Sequence, residues 1–253
     1  MTASGVELHR DGPVATVTLR RPDVLNAQTP ATFDRLRDIG RELPGDVRVV
    51  VVRGEGRAFS AGLDLSKEPG GGAAFLAELT HMPPDLASGR IGRFQEAFTW
   101  LHRPDIVSVA AVQGHAIGAG FQLALACDLR VLAENAQLTM AEVTLGLVPD
   151  LGATKRLVEL VGYPRALELC LTGRRVDAAE ALRLGLATIV VPGDDLDVAV
   201  DDLVAAVAAA PRDAVVEIKA LLAEAAVRSP DEQLRAEREA QVRRLRDLAG
   251  LGE

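Results

Sequence analysis

The chain has 253 residues, 48% hydrophobic and 25% charged, which is ordinary globular usage and long enough to bury a large core without staples. A formal charge of −8, with no basic stripe carrying interleaved aromatics, excludes a nucleic-acid surface. No apolar run approaches a membrane span, and with only 3% aromatics the interior has to be built from Ala, Val, Leu and Ile.

Met1 to Arg10 lacks the apolar stretch of a secretion signal, so a cytoplasmic protein is expected. Val6–His9 and Val14–Leu19 flank Asp11-Gly12, a hairpin signal. Thr29-Pro30 reads as an N-cap followed by proline in the first turn of a helix that runs to Glu42. Val47–Arg53 is a continuous β-branched run, expected of a strand covered on both faces. Ser66 to Gly89 is interrupted at Pro69-Gly70-Gly71-Gly72 and Pro83-Pro84. A mobile insertion with one short helix is expected there, serving as a lid or pocket wall. A helix then runs to about Leu101, Ile106–Val112 is a second buried strand, Gly118–Ala126 is helical and Asp128–Leu132 is a short strand. Beyond Asp150, helices are expected near Gly152–Leu160, Tyr163–Leu171, Asp177–Leu184, Asp194–Ala209, Pro211–Ala225 and Pro230–Leu248, with one strand at Thr188–Val191. This order predicts an α/β core over residues 1–190 and a helical region over 191–253. Cys127 and Cys170 lie in apolar helical patterns and are expected to be buried free thiols.

Two glycine-rich segments stand out, Gly54-Glu55-Gly56-Arg57-Ala58-Phe59-Ser60-Ala61-Gly62-Leu63-Asp64-Leu65 and Gln113-Gly114-His115-Ala116-Ile117-Gly118-Ala119-Gly120-Phe121-Gln122. Each follows a β-branched run and carries little side-chain bulk, so each can offer bare backbone N–H groups to a ligand. Either alone could simply be a tight strand-to-helix turn that needs glycine. A pair of such donors suits a thioester oxygen that becomes an enolate.

With Arg21-Pro22…Leu25-Asn26-Ala27, Ala141-Glu142…Leu145-Gly146-Leu147-Val148-Pro149, Thr172-Gly173 and Ala178…Gly185-Leu186-Ala187, these segments resemble the crotonase, or enoyl-CoA hydratase/isomerase, family. The resemblance runs from about Gly12 to Ala225. It implies a ββα spiral core with a helical C-terminal trimerisation region, an acyl-CoA thioester as substrate, and a homotrimer or dimer of trimers. Coenzyme A would arrive as part of the substrate, with no separate cofactor. The oxyanion donors implied are the main-chain N–H groups of Leu63 and Ala119, in turns formed by Ala61, Gly62 and Gly118. Asp64 and Leu65 would flank the adenine, and Arg21 and Arg57 fall near positions where basic residues meet the phosphates. An acidic protein has to hold such a polyanion through local donors of this kind. Family members usually continue into another helix beyond the Glu239–Leu248 region, whereas this sequence ends at Glu253.

Carboxylates decide the chemistry. Hydratases of the family use two glutamates twenty residues apart; here the later is Glu142 and the earlier is Gln122. An amide can hold a water but cannot exchange its proton near neutral pH. Asp150, eight residues after Glu142, supplies a different second carboxylate, at the spacing found in the family's dienoyl-CoA isomerases. Double-bond isomerisation by Glu142 and Asp150 is therefore the leading expectation. Hydration by Glu142 alone, with Gln122 positioning water, is a second. Nucleophilic attack by Asp150, as in the dehalogenase members, is a third, disfavoured because no aromatic cradle is visible. An acyl-CoA binder without catalysis is the non-enzymatic rival. Asp150 could instead cap the helix beginning near Gly152. His115 could touch substrate. His81 and His102 have no spaced partner for a metal, and Ser60 lacks the His and Asp of a hydrolase set.

Overall fold

The structure, a computed structural model, describes residues 4–66 and 70–252. Strands β1 (Val6–Asp11) and β2 (Val14–Leu19) form the expected antiparallel hairpin. Helix α1 (Pro30–Glu42) is capped as its sequence predicts: the Thr29 side chain accepts from the Thr32 N–H, and Pro30 sits in the first turn. Strand β3 (Val49–Gly54) follows, then helices α2 (Gly72–His81) and α3 (Pro84–Thr99), strand β4 (Val107–Val112), and strand β5 (His115–Ile117) leading into helix α4 (Ala119–Ala126). Strands β6 (Leu129–Ala133) and β7 (Gln137–Thr139) precede a 3-10 turn over Glu142–Leu145. Helices α5 (Ala153–Val161) and α6 (Tyr163–Thr172), strand β8 (Val176–Asp177), helix α7 (Ala178–Leu184) and strand β9 (Ile189–Val191) come next. Helices α8 (Leu196–Ala209), α9 (Arg212–Glu224) and α10 (Pro230–Leu248) complete the chain.

The main sheet has the order β1-β2-β3-β4-β6-β9, parallel from β2 onward. Its central strands are apolar on both sides because both sides are covered. Val50, Val52, Ala110, Val112 and Leu132 face Phe33, Leu36 and Ile39 of α1 and Phe98 of α3 in one core. Val49, Val51, Val109, Ala111 and Val131 face Leu196, Val200 and Val204 of α8 in the other. The α/β core with a helical C-terminal part is thus as expected, and α8 seals the second face of the sheet.

Two expectations need correction. The insertion expected up to Gly89 ends earlier, because Pro84 occupies the first turn of α3 and Gly89 lies inside that helix. Proline at that position pre-sets the helical φ and forfeits no hydrogen bond, so Pro83-Pro84 opens a helix rather than breaking one. Residues 67–69 of that segment lie outside the described residues. Cys127 is buried as expected, and burial pushes its thiol up to about 12, but Cys170 is only half-buried. A second sheet, β5-β7-β8, was not foreseen; strands of three, three and two residues are too short to show a periodicity.

Candidate active site

Strands β3 and β4 are parallel neighbours, so both point their C-terminal ends at one edge of the sheet, and both glycine-rich segments leave from that edge. Hydrogen bonds then stitch the segments together. Ser60 N–H donates to His115 O at 2.9 Å, and Ile117 N–H donates to Ser60 O at 3.0 Å. Behind the first turn, Asn26 Nδ2 donates to Glu55 O at 2.9 Å and Ala58 O at 2.8 Å, while Gln28 Nε2 donates to Ser60 Oγ at 3.0 Å. Ser60 Oγ donates to Asn26 O at 2.8 Å and accepts from Gly62 N–H at 3.2 Å. Ser60 therefore braces the turn. Gln28 escaped sequence reasoning, and Ser60 was weighed only as a nucleophile, because neither pairs with anything at a regular spacing; their signal is only that they are polar and fully enclosed.

Gly62 has φ 86°, and a Cβ there would run into Ile117 O and lie 3.4 Å from Ala119 N. The two turns are therefore in van der Waals contact, which a side chain at this point would prevent. Neighbouring amides are spent inside the fold: Asp64 N–H on Gln28 O, Gly118 N–H on Thr139 O and Gln122 N–H on Gly118 O. Among the described residues, Leu63 N–H and Ala119 N–H donate to no main-chain acceptor.

Leu63 and Ala119 both border one cavity of about 540 Å³, which is also bordered by Ala61, Gly62, Leu65, Gly118, Gln122, Glu142 and Asp150. Nine sequence-predicted site residues thus share one space. Three do not border it. Arg21 donates to Asp64 Oδ2 at 2.9 Å and to Ala27 O at 2.6 Å, tying the 3-10 turn at Pro22–Val24 to the first glycine segment. Burial would raise the Asp64 carboxyl, but hydrogen bonds from Ser66 and the Arg21 guanidinium outweigh it and hold the group below the usual carboxylate range. Arg57 is exposed. His115 is half-buried in β5 and His81 is exposed on α2; neither borders the cavity, and no metal-ligating cluster occurs among the described residues.

Glu142 is 9% exposed. Burial raises its pKa above the ordinary glutamate range, its own main-chain N–H and the Gln122 amide pull it part of the way back, and the nearby Asp150 charge pushes it up again. Gln122 Nε2 donates to Glu142 Oε1 at 2.6 Å, and Gln122 Oε1 accepts from Leu151 N–H at 2.9 Å. Glu142 Oε2 is buried with no hydrogen-bond partner. Asp150 is also raised by burial. It does not cap α5: the cap position is Gly152, with no side-chain hydrogen bond. Its main-chain carbonyl instead accepts from Gln95 Nε2 of α3 at 2.7 Å, and the residue borders the cavity. Two carboxyls with raised pKa values in an apolar space suit proton exchange with carbon acids.

The far wall comes from α1, α2 and α3, with Phe33, Phe75 and Phe94 among its residues. Their rings lie 4.8 Å (Phe33–Phe94) and 4.7 Å (Phe75–Phe94) apart. The sequence shows no aromatic cluster, yet the fold places these three rings together at the cavity wall. Aromatics are rare in this sequence, but tertiary packing gathers three of the six phenylalanines at one site. The pocket-wall part of the insertion expectation is met, since Phe75, Leu76, Leu79 and Thr80 of α2 border the cavity.

A family model for enoyl-CoA hydratase/isomerase matches residues 9–247. The probable enoyl-CoA hydratase echA8 of Mycobacterium tuberculosis is 34% identical over 198 residues, 78% of this chain and 72% of that protein. The carnitinyl-CoA dehydratase of Salmonella enteritidis is 38% identical over 197 residues, 77% of this chain and 70% of its own. Among solved structures, a candidate enoyl-CoA hydratase of Thermobifida fusca in complex with CoA has TM-score 0.89 and 50% identity, covering 98% of this chain and 95% of that one. A candidate enoyl-CoA hydratase of Thermobifida fusca in complex with acetoacetyl-CoA gives TM-score 0.91 and 49% identity over 97% of this chain and 96% of that one. Paired glycine turns, a shared cavity and these likenesses agree: the chain belongs to the crotonase, or enoyl-CoA hydratase/isomerase, family of acyl-CoA enzymes.

Proposed function

We propose that the protein isomerises the double bond of an enoyl- or dienoyl-CoA. The observation that carries this reading is that Glu142 and Asp150 border the same apolar cavity as the unspent Leu63 and Ala119 N–H groups. The thioester oxygen lies between those two amides, which take up the charge that appears only as the enolate forms. Glu142 removes the acidic carbon-bound proton, and Asp150 returns a proton further along the conjugated system. Gly62, Gly118 and Ala61 leave room for the pantetheine thioester, and Asp64 and Leu65 lie toward the adenine end, with Arg21 and Arg57 on the phosphate side. The substrate carries its own coenzyme A, and no separate cofactor is assigned.

The test is turnover of 3-enoyl-, 2-enoyl- and 3,5-dienoyl-CoA by wild type, Glu142→Gln and Asp150→Asn. Each variant is expected to lose roughly 100-fold or more in isomerisation kcat, the usual worth of a general acid or base. Wild-type isomerisation by both variants would overturn the assignment.

Hydration of a 2-enoyl-CoA is the second reading, favoured by the hydratase names of the relatives. It uses Glu142 as sole acid and base, and a product heavier by one water, read by mass spectrometry, separates it from isomerisation, which conserves mass. We also propose a homotrimer or dimer of trimers, and a cytoplasmic setting that suits two free thiols. Among the described residues no helix is long and apolar enough to cross a membrane.

A further inference from the structure

We infer that Gln122 is the positioning residue of this site, and that it holds the Glu142 carboxyl beside the second glycine turn, toward the carbon-bound proton next to the thioester. The inference rests on the reading above only in taking Glu142 as the base.

The orientation of the Gln122 amide follows from its partners. Leu151 N–H can only donate, so the atom facing it at 2.9 Å has to be the amide oxygen. The NH₂ group therefore faces Glu142, and it reaches Oε1 at 2.6 Å. A carboxylate that gains a short, oriented donor on one oxygen loses freedom to rotate. Glu142 Oε1 is thereby parked beside the second glycine turn, 3.3 Å from where a Cβ on Gly118 would lie. That turn also presents the Ala119 N–H, so the base and the oxyanion donor approach the same end of an acyl group. Oε2 is buried with no partner, so the bond from Gln122 to Oε1 is the side-chain hydrogen bond that fixes the carboxyl.

The same amide links the two carboxylates, since Leu151 follows Asp150 directly. Gln122 therefore spans from the base to the segment that carries the second proton donor. Both of its polar atoms are engaged within the protein, so it acts on Glu142 rather than as a free holder of water. The ionisable neighbours that bear on Glu142 are Asp150 and the Cys170 thiol.

The test uses a reaction that needs only Glu142 and the two amides, exchange of the C2 protons of butanoyl-CoA in D₂O, followed by NMR across pH. Gln122→Met removes both hydrogen bonds at similar length. It is expected to slow exchange roughly 100-fold, the scale of a 1 Å misplacement, with KM nearly unchanged. Its exchange should also require a higher pH than wild type, because the ionised carboxyl has lost a donor. Gln122→Glu is near-isosteric and folds even if the methionine variant does not. It can donate to Oε1 only while the pair shares one proton. Its exchange should therefore hold at moderate pH and fall at high pH, where wild type stays fully active. Wild-type rate and pH profile in either variant would overturn the inference, as would unimpaired exchange in Glu142→Gln. Should Asp150→Asn keep full isomerisation, Asp150 loses its place as the second proton donor while this exchange test still decides the role of Gln122.

Discussion

At Gly120 an added methyl would fall 2.5 Å from Ser60 O and 2.8 Å from Ser60 Cβ. The backbone there is not in the left-handed region, so the obstacle is contact alone. Gly120→Ala is therefore expected to push the two turns apart without straining φ or removing a side chain that does chemistry. Loss of one well-placed oxyanion donor costs about 10²–10³ in kcat, and a change of that size with substrate binding largely kept is the predicted result. Steady-state kinetics check it, with a thermal melt to confirm folding; full kcat would separate the turns from the reaction. Asn26 is the complementary case. It sits at φ 54° and accepts from Arg21 N–H at 2.8 Å while donating to Glu55 O and Ala58 O. Asn26 is legible in the motif Leu25-Asn26-Ala27 but its job is not, because the carbonyls it donates to, Glu55 O and Ala58 O, lie 29 and 32 positions away.

Among elements, α9 shows how a helix with no buried residue is still fastened to the core. Lys219 Nζ donates to Ile106 O and to Asp128 Oδ2, both at 2.7 Å, and Asp128 also accepts from Ser108 N–H and Oγ in β4. Arg48, at the entry to β3, donates to the carbonyls of Ala208 and Ala210 at the end of α8. Lys219→Met should cost about 1–3 kcal/mol, since it strands a partly buried carbonyl and removes one of the Asp128 donors. Urea unfolding measures the loss, and hydrogen exchange should localise it to α9; an unchanged midpoint would show that apolar contact alone seats the helix. Element ends were legible wherever chemistry marks them. Thr29-Pro30 starts α1, and Ser229 with Glu232 starts α10 through a reciprocal pair of hydrogen bonds. Pro83-Pro84 misled because the same residues serve a loop and a helix start, and only the packing of Phe94, Ala97 and Phe98 beyond them distinguishes the two.

For the whole molecule, the helices that cover the sheet leave Ile218 and Leu222 of α9 and Leu234, Val242, Leu245 and Leu248 of α10 exposed. A run of apolar side chains on two adjoining helices fits the proposed trimer. Sedimentation at micromolar concentration is expected to give three or six times the chain mass, and a monomer would remove that proposal.

The roles of Glu142 and Asp150 were legible only through the family resemblance, whereas local chemistry, read residue by residue, was enough to determine the strands of the main sheet, most helix starts and the two glycine turns. These depend on backbone propensity, capping and short-range pattern, which act within a few residues and so leave a mark in the order of the chain. Only the folded molecule decided that the two turns touch, that Asp150 faces the cavity rather than capping α5, and that three phenylalanines form one wall. It also decided that Arg21 is committed to Asp64 and that Gln122 joins Glu142 to Leu151. Each of these joins groups from 19 to 61 positions apart, and nothing in the spacing of such groups signals that the fold will bring them together.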